Sequence, residues 1–416
     1  AVEKDAQFPE KQKLSGERDK PIEEEKNSQN SPRAQTKLAK HVGNLPLLIS
    51  IILSGFIALV LSFPLFFTTK PGELLAAKFV WIGFIGLASF RVFVTGRVSR
   101  WRSVFFMILA WAFILEFKSA LVGLAGSAWI TKDVQEVPYC HIAISSTLLN
   151  HLHGQYLAIT SGNFLKWSPL TAGAFFWLLA TLSIGQGWCS WACFYGGLDT
   201  TFTKLVKKPI LKLYHLPRSL RDFSLALLIA VVLFSFARSE PSYCLWLCPL
   251  KITTGFLDPN TLIRRMQFSS FAILGILFII LIPLFIKKRA FCTFLCPFGA
   301  WQALVGRINP FKVTINADTC TLCQQCMKVC PVYAISPEGV EKHEVSSYCN
   351  RCGDCFDACP TGAIHYSFGS GHLSGSILPR VFFLISAWLV GGSVSLLFVP
   401  AALVRLTHWI NLFFHG

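Results

Sequence analysis

Eight of the chain's 15 cysteines fall into one pattern written twice. Cys320, Cys323, Cys326 and Cys330 precede Pro331, and Cys349, Cys352, Cys355 and Cys359 precede Pro360. A tandem C-x2-C-x2-C-x3-C-P run dictates how the backbone must wrap. The first three cysteines of each run hold one 4Fe–4S cube, and the fourth ligates the other cube. The predicted sets are Cys320, Cys323, Cys326 and Cys359 for one cluster, and Cys349, Cys352, Cys355 and Cys330 for the second. Zinc sites rarely use eight cysteines at this doubled spacing, and disulfide frameworks suit small secreted domains.

The remainder of the 416 residues is mostly apolar: 53% of the chain is hydrophobic and 14% charged, where a soluble protein carries about a quarter charged residues. Apolar runs on the order of 20 residues, long enough to cross a bilayer, recur along it. The expected fold class is an all-α polytopic membrane protein of about seven transmembrane helices, with an inserted α+β bacterial 2x[4Fe-4S] ferredoxin module. Expected boundaries are a disordered polar tail at 1–42, without the apolar stretch of a cleavable signal, and a transmembrane bundle at 43–310. The ferredoxin module follows at 311–370, then a transmembrane helix and an interfacial helix at 371–416. The expected spans are about 45–67, 77–95, 103–130, 168–187, 222–240, 268–286 and 378–400. Pro400 is expected to end the last of them, because proline cannot donate the next helical hydrogen bond.

Cluster thiolates need a compartment that does not oxidise them, so the module is expected to face the cytoplasm from the inner (plasma) membrane. The excess of 16 positive charges gathers beside apolar segments. Arg91, Arg97, Arg100 and Arg102 form one group, Lys204 to Arg221 a second, and Lys287, Lys288 and Arg289 a third. That is the positive-inside pattern, and it explains the charge better than nucleic acid does. Arg264 and Arg265 run against it, since the seven-span path puts them outside.

Six further cysteines form three C-x3-C pairs: Cys189/Cys193, Cys244/Cys248 and Cys292/Cys296. Each lies near the end of an apolar segment, encloses an aromatic residue, and repeats about every 50 residues. On a helix, residues four apart share a face, so both sulfurs of a pair can address one metal centre. Cys189, Cys193, Cys292 and Cys296 fall at the same membrane face and supply four thiolates for a third 4Fe–4S cluster. Cys244 and Cys248 fall on the other side with the last cysteine, Cys140, beside His141. Histidine replaces cysteine in some iron–sulfur centres, so His141 or another fourth ligand would complete an outer cluster.

The segments Trp188-Cys189-Ser190-Trp191-Ala192-Cys193 and Cys292-Thr293-Phe294-Leu295-Cys296-Pro297, leading into the tandem module, resemble the membrane polyferredoxins of the NapH/NosR type. The resemblance covers about residues 168–370. It implies a multi-span iron–sulfur protein passing electrons between the quinone pool or cytoplasmic donors and extracytoplasmic reductase systems. Three departures stand out. Phe194 replaces the motif's proline, an additional pair is present, and these residues include no large flavin-binding domain.

The expected function is a membrane-bound electron relay between a cytoplasmic or quinone donor and an extracytoplasmic redox partner, as a subunit of an oxidoreductase complex. Membrane lipid, partner proteins and the quinone pool are the expected contacts, and nucleic acid is not. Two other readings use the same residues: a copper-binding or metal-reducing assembly factor, since soft thiolates suit Cu(I), and an iron–sulfur redox sensor. Glu116 and Lys118 lie within an apolar stretch, where a charge is costly unless paired or hydrated. They suggest a proton or quinone site, or else a helix break. His141, His151 and His153 are possible proton acceptors for quinol. No C-x-x-C-H, G-x-x-x-x-G-K-[ST] or G-x-G-x-x-G run occurs, which leaves attached haem, ATP and NAD without their usual sequence marks.

Overall fold

The computed structural model describes residues 44–68, 72–116, 127–129, 137–138, 140–162, 169–254, 261–369 and 377–415. The expected tail at 1–42 and Lys118 lie outside these residues. The first helices are α1 (Leu47–Ser62), α2 (Leu65–Thr68), α3 (Glu73–Thr95) and α4 (Ser99–Glu116). A short antiparallel pair, β1 (Ser127–Trp129) and β2 (Val137–Pro138), precedes α5 (His141–Ser146), α6 (Leu148–Thr160) and α7 (Pro169–Ser183). Next come α8 (Trp188–Trp191), α9 (Phe194–Leu205), α10 (Arg218–Arg221), α11 (Phe223–Arg238) and α12 (Ser242–Trp246). A long helix begins as α13 (Leu262–Gly275), widens through a π segment at Ile276–Leu281, and ends as α14 (Ile282–Ile286). A second π segment at Phe291–Leu295 leads into α15 (Pro297–Val305).

Residues 311–369 then form the cysteine-rich module. Strands β3 (Phe311–Ile315) and β4 (Ile364–Phe368) pair antiparallel with Phe311 opposite Phe368 and Ile315 opposite Ile364. Between them lie α16 (Gln325–Val329), α17 (Pro337–Glu341) and α18 (Asp354–Ala358). Because its first and last strands are partners, the module leaves the bundle and returns to it at one place. The chain closes with α19 (Ile377–His415).

Among the described residues, five helices are long and apolar enough to cross a membrane: Leu47–Phe67, Glu73–Thr95, Arg218–Arg238, Leu262–Ile286 and Ile377–Phe414. The other two expected spans correspond to α4 and α7, with 18 and 15 helical residues. Large apolar side chains cover the outside of the bundle, among them Leu48, Phe66, Leu233 and Phe234, as a lipid-facing surface requires. The expected stop at Pro400 is corrected: α19 runs unbroken through it. Proline deletes one backbone hydrogen bond, and a helix packed in an apolar bundle keeps those on either side. The expected separate interfacial helix is therefore the end of α19, where His408 Nε2 meets Glu73 Oε2 at 3.1 Å.

Two contacts show how closely the elements pack. Gly196 and Gly197 let α9 lie against α4, and a Cβ on Gly197 would come within 2.5 Å of both the Ala110 Cβ and the Phe106 carbonyl. Only glycine permits that approach. Gly185, at φ +55°, occupies space that a Cβ would contest with the Arg351 guanidinium.

The module is held to the bundle by polar contacts, from buried to exposed. Arg351 Nη1 donates to the Ile184 carbonyl at 2.7 Å, and Asp357 accepts from the Val98 and Ser99 amides at 3.1 and 2.9 Å. Gln186 donates to the Ser347 carbonyl, and Arg380 to that of Gly96. Lys288 Nζ reaches the carbonyls of Met327, Lys328 and Cys330 at 3.2, 2.9 and 2.6 Å. Its cation thus caps the C-terminus of α16, where the helix dipole is negative.

Replacing Lys288 with methionine strands those carbonyls, each formerly bonded to a charged donor worth roughly 1.5–3 kcal/mol. Lys288→Met is expected to lower the temperature at which iron–sulfur absorbance bleaches under anaerobic heating. An unchanged bleaching temperature would show that this cap does not hold the module.

Candidate functional site

The tandem run is an internal repeat with a 29-residue offset. Left-handed backbone occurs at matching places in both halves: Leu322 and Arg351, Gln324 and Gly353, Tyr333 and Gly362. The fourth cysteine of each run accepts an equivalent amide, Ala334 N to Cys330 Sγ at 3.2 Å and Ala363 N to Cys359 Sγ at 3.3 Å. This backbone curls around a point that no single run encloses alone. Cys320, Cys323, Cys326 and Cys359 line one cavity. Cys330, Cys349 and Cys352 act electrostatically on Cys355, which puts those four together as the other set. Cys323 is exposed, whereas Cys330, Cys352 and Cys355 are buried against the bundle.

In the bundle, Cys189, Cys193, Cys292 and Cys296 line a single cavity with Gln186, Tyr348 and Asn350. Tyr348 and Asn350 flank Cys349, so this cavity adjoins the second module set. At ~1.5 Å per residue, the 12 residues of α9 place Cys193 roughly 18 Å from the end near Lys204. Phe113 stacks on Phe194 beside it, with ring centroids 3.5 Å apart.

The expected geometry of a pair on one helical face is corrected. Cys189, Cys244 and Cys292 lie in short helical segments, but Cys193 and Cys296 have extended backbone and stand at the N-caps of α9 and α15. Cys140 has the same place before α5. The amides two and three residues beyond Cys140, Cys193, Cys248 and Cys296 bond towards their sulfurs. A helix N-terminus offers free N–H groups and a positive dipole end, which suits an anionic sulfur. Pro297 opens α15 at the position where proline's missing donor costs nothing. Phe194 opens α9 with the same cap geometry, so the missing proline changes nothing locally.

Cys140 packs with Cys244 and Ala143, and both Cys140 and Cys248 act on Cys244. His141 does not face that trio squarely. Its Nε2 lies 3.1 Å from Cys193 Sγ, and its Nδ1 lies 4.0 Å from Cys140 Sγ. Trp177, Trp188, Phe194 and Phe298 meet its ring edge-to-face. His141 therefore stands between the four-cysteine cavity and the trio. Tyr195 approaches Cys248 Sγ with its hydroxyl at 2.9 Å, and Tyr243 donates to the Leu295 carbonyl at 3.1 Å. The sequence reading passed over both tyrosines, although each stands within two residues of a paired cysteine.

The other candidate positions have structural partners. Glu116 is buried and bidentate with Arg405, at 2.9 Å to Nε and 3.2 Å to Nη2. His151 and His153 lie on α6, the latter edge-on to Phe236. Arg264 and Arg265 open α13, and Thr261 caps that helix through the Arg264 amide at 3.3 Å. Among the described residues, no three His, Cys, Asp or Glu side chains converge as a donor set for one bare metal ion.

Comparison with known proteins adds a family to this geometry. The 4Fe-4S dicluster domain matches residues 312–362, and the 4Fe-4S binding domain matches three times, at 167–212, 223–264 and 269–316. Each of those three matches contains one C-x3-C pair. Regulatory protein NosR of Stutzerimonas stutzeri is 29% identical over 190 residues, 45% of this chain and 24% of that protein. Putative electron transport protein YccM of Escherichia coli K12 is 29% identical over 216 residues, 47% and 58% respectively. Methylamine utilization ferredoxin-type protein MauN of Methylobacillus flagellatus is 28% identical over 243 residues, 56% and 76%. The matched stretch spans about a quarter of NosR and little over half of YccM. No solved structure matches. Fold, cysteines and relatives together define an iron–sulfur membrane protein related to electron-transfer proteins. Within that class, the likeness to NosR, YccM and MauN supports a NapH/NosR-type membrane 4Fe–4S ferredoxin-like protein.

Asp354 gives a test of how the site is held. Burial opposes its ionisation, but Arg102, Lys204, the Ser99 hydroxyl and Arg289 outweigh that and keep its carboxyl below the usual range. Its stabilising effect is therefore present above the ordinary carboxylate pKa and fades as pH falls through the depressed value. Arg102 Nη2 pairs with it at 3.1 Å and is fully buried. Asp354→Asn would leave that guanidinium uncompensated, and breaking a buried pair on one side costs roughly 3–5 kcal/mol. The variant is expected to denature at markedly lower denaturant concentration. A midpoint equal to wild type would refute the pairing.

Proposed function

We propose that this protein carries single electrons through the membrane along cysteine-bound iron–sulfur centres at four depths. The observation that carries this reading is the adjacency of four cysteine sets. The outer module set (Cys320, Cys323, Cys326, Cys359), in which Cys323 is exposed, meets soluble partners, and the inner set (Cys330, Cys349, Cys352, Cys355), of which three are buried, adjoins the bundle. The cavity of Cys189, Cys193, Cys292 and Cys296 comes next, and Cys140, Cys244 and Cys248 lie beyond His141 and Tyr195. A 4Fe–4S cluster, when bound, accepts and returns one electron at a potential set by charge, hydrogen bonds and burial. The chain's own residues fix the spacing of those centres, exclude water with aromatic rings and present amides to the sulfurs.

The donor sets fit clusters better than single ions. Eight module sulfurs sit in a two-fold repeat with amides on the fourth ligand of each run, and four bundle sulfurs line one enclosed space. Among the described residues no three His, Cys, Asp or Glu side chains form a set that could hold a single metal ion, while thiolate pairs also suit Cu(I), so copper analysis beside the iron count separates the two readings. Seven spans, with the module on the cytoplasmic side of the inner membrane, complete the proposed topology. A quinone or a protein exchanges electrons at the far end, beside Cys140, Cys244 and Cys248. A second reading, an iron–sulfur redox sensor, draws on the words "Regulatory protein" in the name of NosR. It requires that no sustained electron flow occur with artificial donors and acceptors.

Iron and acid-labile sulfide analysis of anaerobically purified protein tests the count. The two module clusters bring about eight iron per chain, the bundle tetrad about four more, and the trio a further three or four. Cys193→Ser is expected to remove about four iron and Cys244→Ser three or four, with the module's signals intact. A wild-type content near eight would reduce the protein to its module.

A further inference from the structure

Between the bundle tetrad and the inner module set lies a cation that the relay does not yet use. Arg289 is 1% exposed. Its Nη1 donates to the Ser190 hydroxyl at 3.1 Å and the Cys189 carbonyl at 3.2 Å. Its Nε and Nη2 are buried without a hydrogen-bond partner. Its own amide donates to the Pro331 carbonyl at 2.8 Å, which ties this residue to the turn after Cys330. Phe106 lies under its guanidinium at 5.5 Å, and Arg102 approaches the same ring at 5.9 Å.

Burying a guanidinium costs several kcal/mol unless an anion compensates it. Two carboxylates lie nearby, and Arg289 acts electrostatically on both without a hydrogen bond to either; Asp199 Oδ1 is itself buried without a hydrogen-bond partner. Asp354 pairs with Arg102 and Lys204 at 3.1 and 3.7 Å, and Asp199 Oδ2 accepts the Cys292 amide at 3.0 Å. The other anions within reach are sulfurs. Arg289 acts electrostatically on Cys189, Cys193 and Cys292 of the tetrad, and on Cys352 of the module.

We infer that Arg289 is the shared counter-charge of the tetrad centre and the inner module centre, a positioning residue that sets the potential of both. The inference rests on the tetrad holding a cluster. Reduction adds one negative charge to a centre, and a fixed cation nearby favours the reduced form, more strongly in a low-dielectric interior than in water. Because the same guanidinium faces both centres, it raises both potentials together and leaves the step between them little changed. Arg102 also acts on Cys352, but its pairing with Asp354 offsets its charge there, and it does not act on the tetrad sulfurs in the way Arg289 does.

EPR-monitored redox titration of the full-length protein tests this, with Arg289→Gln and Arg289→Lys beside wild type and iron measured in each. Arg289→Gln is expected to shift the tetrad and inner module signals to more negative potential, leaving the outer module cluster in place. Arg289→Lys, which keeps the charge, is expected to restore most of the shift. Loss of tetrad iron in Arg289→Gln but not in Arg289→Lys also supports the charge requirement. Iron-replete Arg289→Gln with unmoved potentials, or equal effects in both variants, overturns it. A wild-type iron content near eight sinks the tetrad itself, and that failure is distinct from a full iron content with unmoved potentials.

Discussion

Anionic sulfur inside an apolar bundle is the constraint from which the rest of this structure follows. A thiolate moved from water into hydrocarbon is costly, and it persists only where fixed dipoles or cations replace the lost solvation. The bundle supplies dipoles by breaking its helices. Cys140, Cys193, Cys248 and Cys296 each stand where a new helical segment begins, and the amides that follow bond towards the sulfur. Irregular backbone at membrane depth survives only when buried in protein, and these breaks are packed between α4, α11 and α15 rather than exposed to lipid.

The same need explains the layer where bundle and module meet. Arg102, Lys288 and Arg289 are all buried there, each at or below 1% exposure. They share the work in different ways: one neutralises Asp354, one caps α16, and one keeps half of its donors unpartnered. A basic cluster after a membrane span reads ordinarily as a topology signal. In this chain Lys288 and Arg289 turn inward instead, and only Lys287 remains near the surface, bonded to the Lys207 carbonyl at 2.9 Å. The positive charge therefore has an internal purpose besides orienting the chain.

The sequence was most readable where spacing alone imposes geometry. The tandem run foretold the crossed grouping of Cys330 with Cys349, Cys352 and Cys355, because a 29-residue repeat has few ways to fold around two points. Cysteine counting groups Cys189, Cys193, Cys292 and Cys296 for one centre and Cys140 with Cys244 for another; in the structure the first four line one cavity and Cys140 packs with Cys244. Less readable were features that depend on three-dimensional neighbours. Helical spacing suggested both sulfurs of a pair on one face, whereas the second begins a new helix. Pro400 resembled a stop, but packing against α3 and α4 carries α19 past it. His141 looked like a ligand for its neighbour's set, yet backbone direction at the start of α5 aims Nε2 at Cys193. Arg289 was counted as one of three basic residues because nothing local distinguishes a surface cation from a buried one.

These misreadings share a cause. Sequence periodicity reports which elements exist and which faces are apolar, but a buried charge is decided by what lies opposite it. For Glu116 that partner is Arg405, 289 positions away. Arg289 has no carboxylate at hydrogen-bond distance; Asp199 and Asp354 interact with it only through space, as do the sulfurs of two separate motifs. The two buried charges therefore differ: Glu116 is paired with a cation, whereas Arg289, in the turn after α14, keeps donors unpartnered among cysteines of both sets. The orphaned donors of Arg289 are what the proposed counter-charge role would use, a feature independent of the motif spacing.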